Sequence, residues 1–106
     1  MPKYLLHGSY TVEGVKGLIK DGGTARKDAV KQLVESVGGK LEAMYFAFGN
    51  EDWYIIADLP DAESAIVIAA TTVSSGAVNL QTTVLVTPEQ VDVAMKKAVK
   101  YRRPGA

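Results

Sequence analysis

The chain has 106 residues, of which 47% are hydrophobic and 23% are charged, and its 12 basic residues balance 12 acidic ones. This length suits one domain with one core, and the even charge gives no electrostatic case for binding nucleic acid or an anionic membrane. Cysteine is absent, which excludes disulfides and thiolate metal sites, and no apolar run reaches the ~18 residues of a membrane span. We therefore expect a cytoplasmic protein without metal or cofactor, folded as a single domain over residues 1–106.

The first third of the chain predicts one strand followed by two helical segments. We place the strand at residues 4–10 and the helices at 12–20 and 24–37, with glycines between and after the helices. The second helix is indicated by apolar residues at the spacing of one helical face: Val30, Leu33, Val34 and Val37.

The middle of the chain predicts a β-hairpin, because two apolar runs at 41–48 and 53–59 flank the turn sequence Gly49-Asn50-Glu51-Asp52. Side chains alternate between the two faces of a strand. Strict alternation in the first run sends Phe46 and Phe48 to one face and a second apolar set to the other. A sheet that is apolar on both faces needs two covers, and the chain supplies helices for only one of them.

The last third predicts a helix at 62–75, a strand at 77–86 and a final helix that begins at Thr87. Proline at the first helical position and Gln90 at the capping-box position favour this last helix start. Residues 100–106 are expected to form a loose tail.

This order of elements predicts an α+β fold, a ferredoxin-like four-stranded antiparallel sheet with its first and third strands at the centre. The two main helices would cover one face. We expect the other face to be covered in part by the last helix and mainly by a second subunit, giving a dimeric α/β barrel. The expected partner is therefore the chain itself, as a homodimer or a higher homo-oligomer.

Several short segments are shared with a known family of small proteins: the helix with Arg26, Gly38-Gly39-Lys40, Tyr45-Phe46-Ala47-Phe48-Gly49, Asp52, Asp58-Leu59-Pro60-Asp61 and Gln81-Thr82-Thr83. On these segments, from roughly residue 3 to residue 87, the chain resembles the GYD-domain family. The resemblance implies the ferredoxin-like fold of the dimeric α/β-barrel group, but no established biochemical activity. Glu51 departs from the family pattern, since it stands where the family's turn has tyrosine, so no role of that tyrosine is carried over.

His7, the only histidine, is the centre of the candidate site. Alternation and strand order predict that residues of the other three strands share its side of the sheet: Phe46, Phe48, Tyr54, Asp58, Gln81 and Thr83. These side chains would form either a pocket for a small, flat aromatic ligand or a semi-polar seam between two packed sheets. A single histidine without cysteine cannot complete a common zinc site, so no metal site is expected.

Two functions fit these residues. The favoured one is a non-catalytic oligomeric module that binds a small molecule, because no complete catalytic constellation is present. The alternative, drawn from the chemistry of the wider barrel group, is a cofactor-independent oxygenase acting on an aromatic substrate. In that version His7 removes a proton from the substrate, Tyr54 or Gln81 holds its oxygen, and the two phenylalanines stack on its ring.

Overall fold

A computed structural model describes all 106 residues, and the elements follow one another in the predicted order. They are β1 Lys3–Tyr10, α1 Val12–Asp21, α2 Gly23–Ser36, β2 Lys40–Phe46, β3 Trp53–Asp58, α3 Ala62–Ser74, β4 Val78–Leu85 and α4 Pro88–Met95. Most boundaries agree with the sequence pattern to within one residue, but β2 ends at Phe46 rather than at Phe48. None of the helices has the length and apolar character needed to cross a bilayer.

The four strands form one antiparallel sheet in the order β2-β3-β1-β4. β1 pairs with both β3 and β4, and β2 pairs with β3, so the first and third strands lie at the centre as predicted. A sheet of this order, with α2 and α3 in its two crossover connections, is the ferredoxin-like α+β fold.

The core lies between the sheet and the two crossover helices. Ten buried apolar residues from the strands, the helices and the loop after β3 form one cluster: Tyr4, Leu6, Val30, Val34, Trp53, Ile55, Ala57, Leu59, Ala65 and Ile68. Alternate residues of β1 and β3 supply the sheet side of this cluster, as the period of two requires. α2 packs mainly over β2 and α3 mainly over β4, so the helices cover the edges of the sheet more closely than its centre.

Three helix starts are stabilised by side chains that accept backbone hydrogen bonds. Thr11 caps α1 and Asp61 caps α3, while Thr87 and Gln90 form the predicted capping box of α4. The hydroxyl and the amide of Ser64 both donate to Asp61, and they hold the pKa of this carboxyl below its usual range. A helix cap is a local feature, which explains why the sequence predicted the start of α4 at Thr87.

A β-bulge in β2 was not predicted. The register with β3 shifts between Leu41 and Ala43, so two residues of β2 oppose one of β3. Beyond the bulge the alternation is reversed relative to the start of the strand. Tyr45 therefore lies on the face turned away from the helices, and Phe46 lies opposite Trp53 on the helix side.

The end of the chain stands apart from the sheet. Residues 86–106 are all exposed, and the molecule measures 56 × 33 × 23 Å. Its radius of gyration is 16.9 Å, compared with about 13 Å for a compact chain of this length. The prediction that the last helix covers part of the sheet is therefore wrong for the single chain.

Candidate functional site

His7 lies in the middle of β1 on the face of the sheet turned away from the helices, which we call the open face. The register places Tyr54 of β3 and Gln81 of β4 directly beside it. Thr83 and Asp58 lie further along the same face. The open face therefore carries the predicted neighbours of His7 from β3 and β4.

Both ring nitrogens of His7 have partners. Nδ1 lies 2.6 Å from Oε1 of Glu51, and Nε2 lies 3.0 Å from Oγ1 of Thr83. The ring also stacks on Tyr54, with the ring centroids 6.0 Å apart and the planes inclined by 9°. An ionised carboxylate only accepts hydrogen bonds, so Nδ1 carries a proton, and the Thr83 hydroxyl donates to Nε2 whenever the ring is neutral.

Glu51 is a site residue that the sequence prediction missed. It lies in the β2–β3 loop, which is bonded to the end of β1: the Asp52 amide donates to the Gly8 carbonyl at 2.8 Å, and the Asp52 carboxylate accepts from the Tyr10 amide at 2.9 Å. These bonds hold the loop beside β1, where Glu51 reaches His7. The predicted strand order could have indicated this contact. Because β3 lies beside β1 and runs antiparallel to it, the loop before β3 must lie next to the end of β1.

The prediction that Phe46 shares the open face with His7 is wrong, and the ligand-binding role of Phe48 stays a prediction. Phe46 lies on the helix side, where its ring is so close to Gly23 that an added Cβ would be 3.1 Å away. Phe48 follows the end of β2 and is fully exposed. The place expected for Phe46 beside Tyr54 is taken by Tyr45, which is 71% exposed, and the bulge in β2 is the cause of the exchange.

Asp58 lies on the predicted face but has another partner. Nζ of Lys3 lies 2.8 Å from Oε1 of Glu42 and 3.0 Å from Oδ1 of Asp58. These hydrogen bonds, the one to Glu42 first, raise the pKa of Lys3. Lys3 and His7 are four residues apart on β1, roughly 13 Å along the strand, so the Asp58 pair marks the opposite end of the open face.

We call His7 and its contacts Glu51, Thr83 and Tyr54 the histidine cluster. A shallow polar hollow of about 530 Å³ borders this cluster. It lies between the β2–β3 loop and the ends of β1 and β4, and its lining includes Glu51, Asn79 and Gln81 but not His7. Val73 of α3 and Leu80 also line the hollow, so it opens at the end of the sheet and not over the His7 ring. No group of three His, Cys, Asp or Glu side chains is placed to hold a metal ion.

The sheet order, the two crossover helices and the open face define a small ferredoxin-like α+β domain with a polar and aromatic cluster on its uncovered side. The family model of the GYD domain matches residues 4–95, from β1 to the end of α4, and the chain belongs to this family. Comparison with curated proteins gives no match. Family membership accounts for the fold and names no reaction, so a function has to be argued from the site.

Proposed function

We propose that the protein is a cytoplasmic homo-oligomeric module that binds a small aromatic molecule, with the open faces of two subunits packed together and the His7 cluster at the seam. The observation that carries this proposal is the open face itself. Its centre is apolar and aromatic, and nothing in the single chain covers it.

The open face has the composition of an interface. Its apolar and aromatic side chains lie at neighbouring positions on β1, β2 and β3: Leu5, Tyr45, Tyr54 and Ile56. The edge strand β4 presents mainly uncharged polar side chains on this face. An apolar centre with a polar margin is the usual anatomy of protein interfaces. Burying one large apolar side chain contributes about 1.5–3 kcal/mol, so several of them together favour association.

The C-terminal segment supports the same conclusion. α4 and the residues after it expose Val91, Val93, Met95, Val99 and Tyr101 without a partner in their own chain. An arm of this kind gains most by packing on a second subunit.

The proposal that the protein binds an aromatic molecule rests on the fixed positions of the side chains in the histidine cluster. Glu51 and Thr83 fix the His7 ring between them, and its side chain is only 13% exposed. Tyr54 adds a parallel ring, and Gln81, which also lines the adjoining hollow, lies on the other side of His7 from Tyr54. Aromatic faces with a few fixed polar groups favour a flat molecule that carries hydrogen-bonding atoms.

The assembly is tested with Ile56→Lys at the centre of the open face. We expect the wild type to show a dimeric or higher mass by light scattering at micromolar concentration. A lysine buried in the interface without a partner should weaken association by about 100-fold or more. The matched control is Ile66→Lys, since Ile66 is 66% exposed on α3, and it should keep the wild-type mass. A monomeric wild type, or an unchanged mass for Ile56→Lys, contradicts the assembly.

The ligand site is tested by thermal-shift screening of aromatic compounds against the wild type and His7→Ala in parallel. A compound that binds at the seam should raise the Tm of the wild type and leave that of His7→Ala unchanged. Ile66→Ala is the control, because Ile66 is exposed on α3, on the other side of the sheet from His7, and its removal should preserve the shift. Equal shifts in the wild type and His7→Ala would place binding elsewhere and refute the site.

A catalytic version of the same site is the second candidate. The Glu51–His7 contact favours it, because a carboxylate on Nδ1 holds an imidazole in one orientation. Nε2 is already engaged by Thr83, so an aromatic substrate would have to displace that hydroxyl before His7 could act as a base in a cofactor-independent oxygenation. Oxygen consumption with a compound from the screen distinguishes the enzyme from the binding module.

A further inference from the structure

A cavity of about 270 Å³ lies on the other side of the sheet from His7, between α2 and α3. Eleven of its fifteen lining residues are hydrophobic, among them Leu6, Val30, Leu33, Met44, Ile55 and Ile68. The two helices pack over opposite edges of the sheet, so the space above the central strands is left between them. A cavity bounded by two helices and four strands is a well-formed apolar site.

Trp53 forms part of the cavity wall and is 3% exposed. Its Nε1 has no hydrogen-bond partner, but the atom has almost no accessible surface, so a ligand in the cavity would not reach it. The indole ring therefore contributes to the apolar lining.

Arg26, on the first turns of α2, is the only charged residue that lines the cavity. It is half-buried and forms no ion pair. Burial raises the pKa of the neighbouring Tyr10 phenol, and the Arg26 guanidinium opposes that rise, which places the cation beside this ring. Tyr10 and Arg26 also line an adjoining hollow of about 200 Å³ that borders α1.

The remaining polar groups of the cavity wall offer little to a ligand. The hydroxyls of Thr72 and Ser75 donate to backbone carbonyls of α3, and no carboxylate faces the cavity. The wall thus combines one guanidinium with the neutral side chains of Tyr10 and Thr71 in an otherwise apolar space. This combination favours an anionic acceptor on an apolar body.

We infer that the cavity between α2 and α3 binds a small apolar carboxylic acid, with its carboxylate on Arg26 and its hydrocarbon part among the side chains of the core. A cavity of about 150 Å³ holds benzene, so 270 Å³ suits an acid of roughly ten non-hydrogen atoms, the size of octanoate. This site is separate from the open face and does not depend on the function proposed for His7.

The test is a titration of the full chain with octanoate, followed by the fluorescence of Trp53. Trp53 is the only tryptophan and forms part of the cavity wall, so its emission is sensitive to binding there. The wild type should show a saturable change. Methyl octanoate, which has the same chain without the charge, should bind about tenfold more weakly or worse, because hydrogen bonds to charged groups are the stronger ones.

Charge reversal separates recognition by Arg26 from a general effect of net charge. Arg26→Glu should weaken octanoate binding by at least about tenfold and should gain binding of octylamine. Lys27→Glu makes the same change in net charge at the next residue, which is exposed, and should bind octanoate as the wild type does. Arg26→Gln provides a second, milder variant if the reversed charge disturbs folding, as judged by circular dichroism.

Three results would overturn the inference. They are a wild type whose Trp53 emission does not respond to octanoate, equal binding of octanoate and its methyl ester, and unchanged octanoate affinity in both folded Arg26 variants. Failure of the aromatic screen at His7 would leave the octanoate result intact, so the two sites are judged separately.

Discussion

Replacing Gly8 by alanine should lower the free energy of unfolding by about 3 kcal/mol or more, enough to unfold a domain of marginal stability. A Cβ at Gly8 would lie 1.8 Å from the carbonyl oxygen of Asn79 and 2.9 Å from its carbonyl carbon. Both atoms belong to the backbone of β4 and cannot rotate away, so β1 and β4 would have to separate. Urea denaturation followed by circular dichroism measures the loss.

Gly17→Ala is the matched control for this substitution. Gly17 lies within α1, and a Cβ there would meet nothing within 4 Å. We expect the variant to be more stable than the wild type by about 0.5–1 kcal/mol, because alanine loses less conformational freedom in a helix. A wild-type denaturation midpoint for Gly8→Ala would show that β1 and β4 do not approach each other as closely as described. The approach matters for the site, since it brings Thr83 of β4 within hydrogen-bonding distance of His7.

Leu59→Ala should cost about 2–5 kcal/mol, the range found for large-to-small changes at fully buried positions. Leu59 follows β3, has no exposed surface, and packs so closely against Gly39 that a Cβ there would be 2.9 Å from its Cδ2. Its removal leaves a hole between the hairpin and α2 that a backbone fixed on both sides cannot fill.

The control for the core substitution is Ile66→Ala on the exposed side of α3. Ile66 is 66% exposed, so the change should stay within about 0.5 kcal/mol of the wild type. Thermal unfolding of the two variants under one set of conditions gives the comparison. Similar losses for both would mean that Leu59 is not part of the core.

The two candidate sites lie back to back across the sheet. Trp53 and Tyr54 are consecutive residues of β3 and therefore face opposite sides of the sheet. Trp53 lines the cavity under the helices, and Tyr54 stacks on His7. A single peptide bond in β3 thus joins a residue that lines the apolar cavity near Arg26 to a residue that stacks on His7 in the open face.

Local sequence signals predicted most of the fold correctly. The capping box of Thr87 and Gln90 depends on atoms within a few residues of the helix start, so it can be identified without knowledge of the rest of the chain. The period of two in β1 and β4 placed His7 and Gln81 on one face for the same reason. Regular alternation is a property of the strand itself.

The features that the sequence did not predict correctly depend on contacts between residues far apart in the chain. The bulge at Leu41 and Ala43 depends on how β2 meets β3, and it moved Phe46 to the helix side and Tyr45 to the open face. Glu51 reaches His7 through a loop whose position is set by a bond to β1. The cavity beside Trp53 depends on the separation of α2 and α3, which no local pattern encodes.

The bulge also makes the two edges of the sheet unequal. The β2 edge has an interrupted ladder and a charged network of Glu42 with Lys3, and both features discourage a foreign strand from pairing there. The β4 edge is a run of eight residues without a charged side chain, with a regular register against β1. Aggregation by strand addition would therefore start on the β4 side, and a lysine or proline on the outer edge of β4 is the change that would prevent it.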